Sequence, residues 1–139
     1  MVTGSMLKGF PFFQGFTDVQ LKKLAAIGVE ESWEAGTTMY QKGDPARSLF
    51  LLRGGKVVLV MDSYMGPHRP AMQITVDVIA KGETMGWSAL VEPYIYTLGA
   101  LCIDRAEMIS LDAAKLRALL NRDGRLGYKV MQAIAKVVA

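Results

Sequence analysis

The sequence predicts an α+β fold, a block of short antiparallel strands framed by helices. Three observations predict it. Between Val29 and Leu111, short apolar runs alternate with glycine-bearing turns, as strands and corners do. Within that block Gln73 to Ile79 sets Ile74, Val76 and Val78 against Gln73, Thr75 and Asp77, a period of two. At both ends the period changes to that of a helix: Leu21, Leu24 and Ala25 near the start, Leu126, Val130 and Ile134 near the finish.

The chain has 139 residues, 51% hydrophobic and 21% charged, which suits one domain with its own core. Its single cysteine excludes an internal disulfide and suits a reducing cytoplasm. No apolar run reaches the length of a membrane span, and no signal-peptide pattern is visible, so a cytoplasmic location is expected. A net charge of +3 without a block of like charges argues weakly for nucleic acid.

Met1 to Ser5 read as an expression scar ahead of Met6, so the predicted domain is a single unit over residues 6–139. Phe10, Phe12, Phe13 and Phe16 crowd the first turn. Packing beneath the strands explains such a cluster better than an exposed binding surface does. Thr17 is placed as an N-cap with Gln20 completing a capping box, and Phe16 and Leu21 are spaced for a hydrophobic staple. The helix they open runs past Ile27 and is expected to stop at Gly28.

Glu30–Trp33 and Thr37–Tyr40 are the first strands, followed by turn chemistry at Lys42-Gly43-Asp44-Pro45-Ala46. Ser48–Leu52 and Lys56–Met61 flank Arg53-Gly54-Gly55, which predicts a compact hairpin. Asp62–Met72 reads as a loop around Gly66-Pro67-His68-Arg69-Pro70. The alternating segment Gln73–Ile79 is expected to be half-buried. Two later strands, Leu98–Ile103 and Ala106–Leu111, are joined at Asp104-Arg105. Cys102 falls among apolar neighbours, where a buried inert thiol is the better reading than a redox sensor. Asp112 can cap a helix carrying Leu116, Leu119 and Leu120 inward, broken at Asn121-Arg122-Asp123-Gly124. The last helix carries the stripe Leu126, Val130, Ile134 and Val137 or Val138.

The candidate site is the stretch from Gly82 to Thr97. Gly82 and Gly86 permit tight turns, Ser88 to Leu90 can form one helical turn, and Pro93 ends it. A glycine turn that opens a short helix gathers unpaired backbone N–H groups, which favour an anion.

This stretch resembles the phosphate-binding cassette of the cyclic nucleotide-binding domain family, the effector domain of catabolite-activator-like proteins. Gly82-Glu83-Thr84-Met85-Gly86 resembles its opening, and Ala89-Leu90 its apolar pair. Gly43-Asp44-Pro45-Ala46, Leu49-Phe50-Leu51-Leu52 and Gly55-Lys56-Val57 resemble the turn and strands that precede it. The Phe-rich opening and its short helix are similar to the family's start as well. The resemblance implies an antiparallel double-stranded β-roll (jelly-roll or cupin-like) of about eight strands. One helix would precede the roll and two would follow it, and the domain would be a regulatory, signal-sensing one.

The cassette is degenerate. Trp87 stands where the family has the glutamate that holds the ribose hydroxyl, and Tyr96, or Tyr94, where it has the arginine that pairs with the cyclic phosphate. The ligand-binding set implied is therefore Gly86, Trp87, Ser88, Ala89, Leu90, Tyr94, Tyr96 and Thr97, reading through backbone N–H groups and hydroxyls. A missing bidentate arginine removes the strongest side-chain contact to an anion. The expected function is a regulatory domain that binds no cAMP or a changed ligand. The alternatives are a dimerisation module with a self-filled pocket, and a cAMP or cGMP binder working through backbone and hydroxyl donors. A cavity behind Trp87, Tyr94 and Tyr96 would separate the first two.

No catalytic set is present, with one histidine, no nucleophile elbow and no metal-ligand cluster, so no enzyme is expected. No cofactor is firmly implied, and a cyclic nucleotide is the candidate small-molecule effector. Haem would call on His68 with Met61, Met65 or Met72 nearby, but a lone histidine in a proline-rich loop is more often solvent-exposed. In the family the last helix continues into a dimer interface, and a homodimer through it is the expected assembly. Here the chain stops at Ala139 and no helix-turn-helix follows, so direct DNA binding is not expected.

Overall fold

The computed structural model describes residues 1–63 and 66–138. Four helices are described: α1 (Gly4–Lys8), α2 (Asp18–Ala25), α3 (Ala113–Arg122) and α4 (Gly124–Val138). Eight strands lie between α2 and α3: β1 (Gly28–Trp33), β2 (Thr38–Tyr40), β3 (Ser48–Gly54), β4 (Val57–Ser63), β5 (Met72–Ile79), β6 (Thr84–Met85), β7 (Gly99–Cys102) and β8 (Ala106–Asp112). They form two antiparallel four-stranded sheets, ordered β1-β8-β3-β6 and β2-β7-β4-β5. This is the β-roll with flanking helices that the resemblance implies. Among the described residues, no helix is long and apolar enough to cross a membrane.

Local signals are realised closely. Thr17 Oγ1 accepts from Gln20 N at 3.2 Å while Gln20 Oε1 accepts from Thr17 N at 3.0 Å, completing the capping box. Asp112 caps α3 by accepting from Lys115 N at 2.9 Å. Leu126, Val130 and Ile134 of α4 are buried as their stripe requires. Leu49 to Leu52 are buried in succession, so both faces of β3 are covered.

Four expectations change. Arg53-Gly54-Gly55 does not close a hairpin: β3 and β4 belong to different sheets, and the chain crosses from one to the other there. Gly55 makes the crossing with φ +88°, and a Cβ on it would overlap the Arg105 carbonyl oxygen. Asp104-Arg105 likewise joins strands of opposite sheets. The loop after β4 is shorter than expected, because β4 runs to Ser63 and pairs with β5 from Val57↔Ile79 to Ser63↔Met72. In β5 the alternating face is not buried: Ile74, Val76 and Val78 are all exposed at this sheet edge. Finally, α2 ends at Ala25, and Gly28 opens β1 instead of capping the helix.

Val2, set outside the predicted domain with the rest of residues 1–5, is packed into it. Val2 is 5% exposed and lies so close to Gly28 that a Cβ there would come within 3.1 Å of its methyl carbon. Thr3 caps α1, accepting from Met6 N at 3.2 Å. A second α-helix thus precedes the roll where one was expected, with a 3-10 turn at Pro11–Phe13 between them.

Candidate functional site

The cassette is built where β6 leaves the roll. Gly82 turns with φ +92° and donates from its N–H to Leu52 O at 2.8 Å, while Leu52 N donates to Glu83 O at 2.9 Å. Thr84–Met85 then pairs with β3 opposite Phe50 and Leu51. Gly86 turns again at φ +87°, so close to β3 that a Cβ would sit 2.9 Å from Ser48 O. A side chain is excluded there on both counts. The single helical turn expected after it is a 3-10 turn, Trp87–Leu90. Such a turn leaves its first amides without partners inside it.

Ala89 is fully buried, and its carbonyl accepts from Arg117 Nη1 of α3 at 2.6 Å. The same guanidinium lies over the Tyr94 ring, 4.1 Å from its centroid. Arg117 thus ties α3 to the cassette, a role invisible in sequence because its two partners lie more than twenty residues away in sequence. Leu90 is half-buried against the core, Ser88 is half-buried, and Thr97 is exposed. Among the described residues the Thr97 hydroxyl makes no hydrogen bond within the protein.

The two aromatic residues that the resemblance sets at charged positions take different places. Tyr96 is 5% exposed and its hydroxyl donates to Ser48 O at 2.7 Å while accepting from Ser48 N at 3.3 Å. Its ring stacks on Tyr40 at 3.6 Å between centroids, and Tyr40 stacks in turn on Phe50 at 6.2 Å. Burial pushes the phenols of both Tyr40 and Tyr96 above their ordinary pKa. Tyr94 takes φ +60°, a left-handed conformation, and its carbonyl accepts from Ala46 N at 2.8 Å.

Trp87 instead lines a cavity of about 480 Å³ between the aromatic turn at Pro11–Phe13, the Gly82–Thr84 turn and α4. Its ring meets Phe12 at 5.5 Å between centroids, tilted 35°. Tyr94 and Tyr96 do not line that cavity. The implied ligand set is therefore divided: Gly86 to Leu90 form one turn, Trp87 faces the cavity, Tyr96 is sealed in the roll, and Thr97 is outside. Phe12 and Phe16 reach the cavity wall, which the sequence assigned to packing alone.

The other candidates are placed as follows. His68 is exposed, as are Met61 and Met72, while Met65 and Ala139 lie outside the described residues. Cys102 is buried in β7 and burial pushes its thiol pKa up. Among the described residues no group of histidine, cysteine and carboxylate side chains could hold a metal.

Residues 30–123 match the family model of the cyclic nucleotide-binding domain, and the chain belongs to that family. It is similar to a candidate cyclic nucleotide-binding protein from Geobacter metallireducens GS-15, with 30% identity and a TM-score of 0.87, covering 99% of this chain and 96% of that one. The fold is also shared with the Thermus thermophilus catabolite activator protein, 20% identical with a TM-score of 0.75 over 92% of this chain and 58% of that one. The regulatory domain of Toxoplasma gondii PKA, crystallised with cAMP, is 17% identical with a TM-score of 0.75 over 97% of this chain and 48% of that one. Among curated proteins, a candidate potassium channel protein of Rhodopseudomonas palustris is 22% identical over 134 residues, 96% of this chain and 31% of that protein. The chain thus spans about a third of the length of the curated relative it matches.

Proposed function

We propose that this chain is a small regulatory, signal-sensing domain of the cyclic nucleotide-binding type whose cassette does not take cAMP in the family's manner. The observation that carries this reading is Tyr96. It stands at a position the resemblance gives to the phosphate-pairing arginine, yet its hydroxyl is satisfied by Ser48 and its ring by Tyr40. A neutral phenol already paired at both ends offers no cation to a cyclic phosphate. Trp87, at the glutamate position, offers the ribose an apolar ring. Together these changes withhold a few kcal/mol from a nucleotide, roughly a hundredfold or more in affinity. The buried free cysteine fits a reducing cytoplasm, and neither an enzymatic nor a direct nucleic-acid role is part of this reading.

Thermal unfolding with cAMP, cGMP and inorganic phosphate tests it. A ligand at a hundred times its dissociation constant adds about 2.7 kcal/mol to the folded state. No movement of the midpoint with cAMP or cGMP is expected. A shift of several degrees with cAMP would mean that backbone and hydroxyl donors suffice, and the reading would be lost.

A dimerisation role is the second reading, supported by Tyr128, Met131 and Val137, which leave apolar surface exposed on α4. Light scattering across a concentration series tests it, and a monomer at the highest concentration would count against it.

A further inference from the structure

We infer that the 480 Å³ cavity beside Trp87 is a binding site for a small amphipathic anion, a flat apolar body carrying one carboxylate or similar group. The site lies outside the sealed interior around Tyr96, though Trp87 of the cassette lines it, so competition with a cyclic nucleotide is one arm of its test. Its volume falls within the range of small-molecule sites. Phe12 and Phe16 of the N-terminal aromatic turn and Trp87 of the cassette supply aromatic wall from two separate segments, and Ala133 keeps the α4 side low. That lining selects a flat apolar body.

The polar groups on the wall select the charge. Lys129 Nζ donates to Gly15 O and to Gln20 Oε1, each at 2.9 Å. Both acceptors are neutral, so no anion pairs with the ammonium, which also lies 5.6 Å from the Phe16 ring centroid, and its third hydrogen is left to give. Lys136, two turns further along α4, makes no ion pair among the described residues. The wall also carries one acid, Glu83, whose Oε1 accepts from Ala80 N at 3.1 Å; against two lysines it leaves the wall net positive.

Thr84 also lines the cavity, is 8% exposed, and its Oγ1 is the buried side-chain polar atom without a hydrogen bond among the described residues. That atom is sealed from solvent, so a bound molecule would pair with it only if the Thr84 side chain turned its hydroxyl toward the cavity, which relief of an unpaired buried group would favour.

Two fluorescent probes test the site: anilinonaphthalene sulfonate, an aromatic anion, and phenylnaphthylamine, its uncharged parent. Saturable binding of one sulfonate probe per chain is expected, with quenching of tryptophan emission. Lys136→Gln, at an exposed position, should weaken the anionic probe about threefold to fivefold and leave the neutral one unchanged. Ala133→Leu should weaken both. If that variant does not fold, Lys136→Gln decides alone. Absence of saturable binding would overturn the inference, as would equal affinity of Lys136→Gln and the parent chain for the sulfonate. Displacement by cAMP would place the probe in a nucleotide site, and loss of binding as the chain dimerises would make a second copy the occupant. Either result would also overturn it.

Discussion

The Tyr96 hydroxyl and the Ser48 backbone satisfy each other twice, O–H to carbonyl at 2.7 Å and N–H to hydroxyl at 3.3 Å. The pair pins the segment after the cassette onto the start of β3, and the Tyr40 ring closes over it. Tyr96→Phe keeps the stack and strands two buried backbone groups. The expected loss is about 1–3 kcal/mol, a midpoint lower by several degrees. Calorimetric unfolding of the two proteins measures it, and identical midpoints would mean that the hydroxyl does not hold the segment.

Gly55 and Gly43 separate two reasons for glycine. Both have positive φ, +88° and +94°. A Cβ on Gly43 meets nothing within 4 Å, whereas one on Gly55 would overlap Arg105 O and lie 2.8 Å from Ala106 Cα. Gly43→Ala should cost only the backbone conformation, about 1–2 kcal/mol. Gly55→Ala should cost clearly more, since the obstruction is main chain and cannot rotate aside. Urea denaturation midpoints give the comparison, and equal losses would show that the crossing relaxes freely.

Arg117 couples α3 to the cassette through Ala89 O and the Tyr94 ring. Arg117→Ala should speed amide exchange across residues 86–94 and lower stability by about 1–3 kcal/mol. Arg117→Lys should recover only part, because an ammonium lacks the planar face that stacks. Exchange confined to α3 would mean that the arginine does not hold the cassette.

The paired phenols predict an alkaline limit. Burial raises the Tyr40 and Tyr96 pKa above the ordinary value of 10.0. Below that value both phenols are protonated in the folded and unfolded chains, and stability is unaffected by them. Above it the unfolded chain loses the proton first, so stability falls as pH rises toward the folded-state values. Tyr40→Phe should flatten that fall, as seen in denaturation midpoints taken on either side of pH 10. An unchanged slope would place the alkaline loss on other groups.

Much of this molecule was legible locally. The capping box at Thr17 and Gln20, the Asp112 cap, the turns at Gly43, Gly82 and Gly86, and seven of the eight strands depend on neighbours in the chain, while β6, two residues long and read as part of a glycine turn, is a strand only through its pairing with β3. Such features are written in short-range chemistry: a hydroxyl reaching an amide one turn away, or a residue without a Cβ where φ is positive. The α4 stripe was legible for the same reason, since a helix places its own residues on one face.

Tertiary structure decided the rest. Nothing within Ser48–Ser63 states that its two strands belong to opposite sheets, because a glycine corner and a hairpin turn share a composition. Alternation in β5 promised burial, but whether a face is covered depends on what the other strands and helices bring to it. The replacements at Trp87 and Tyr96 could be read as losses from sequence. Only the fold showed that one is sealed against Ser48 and the other opens onto a cavity with Phe12 and Lys129. Those contacts join residues far apart along the chain, and their energies exist only once the sheets and helices have closed around them.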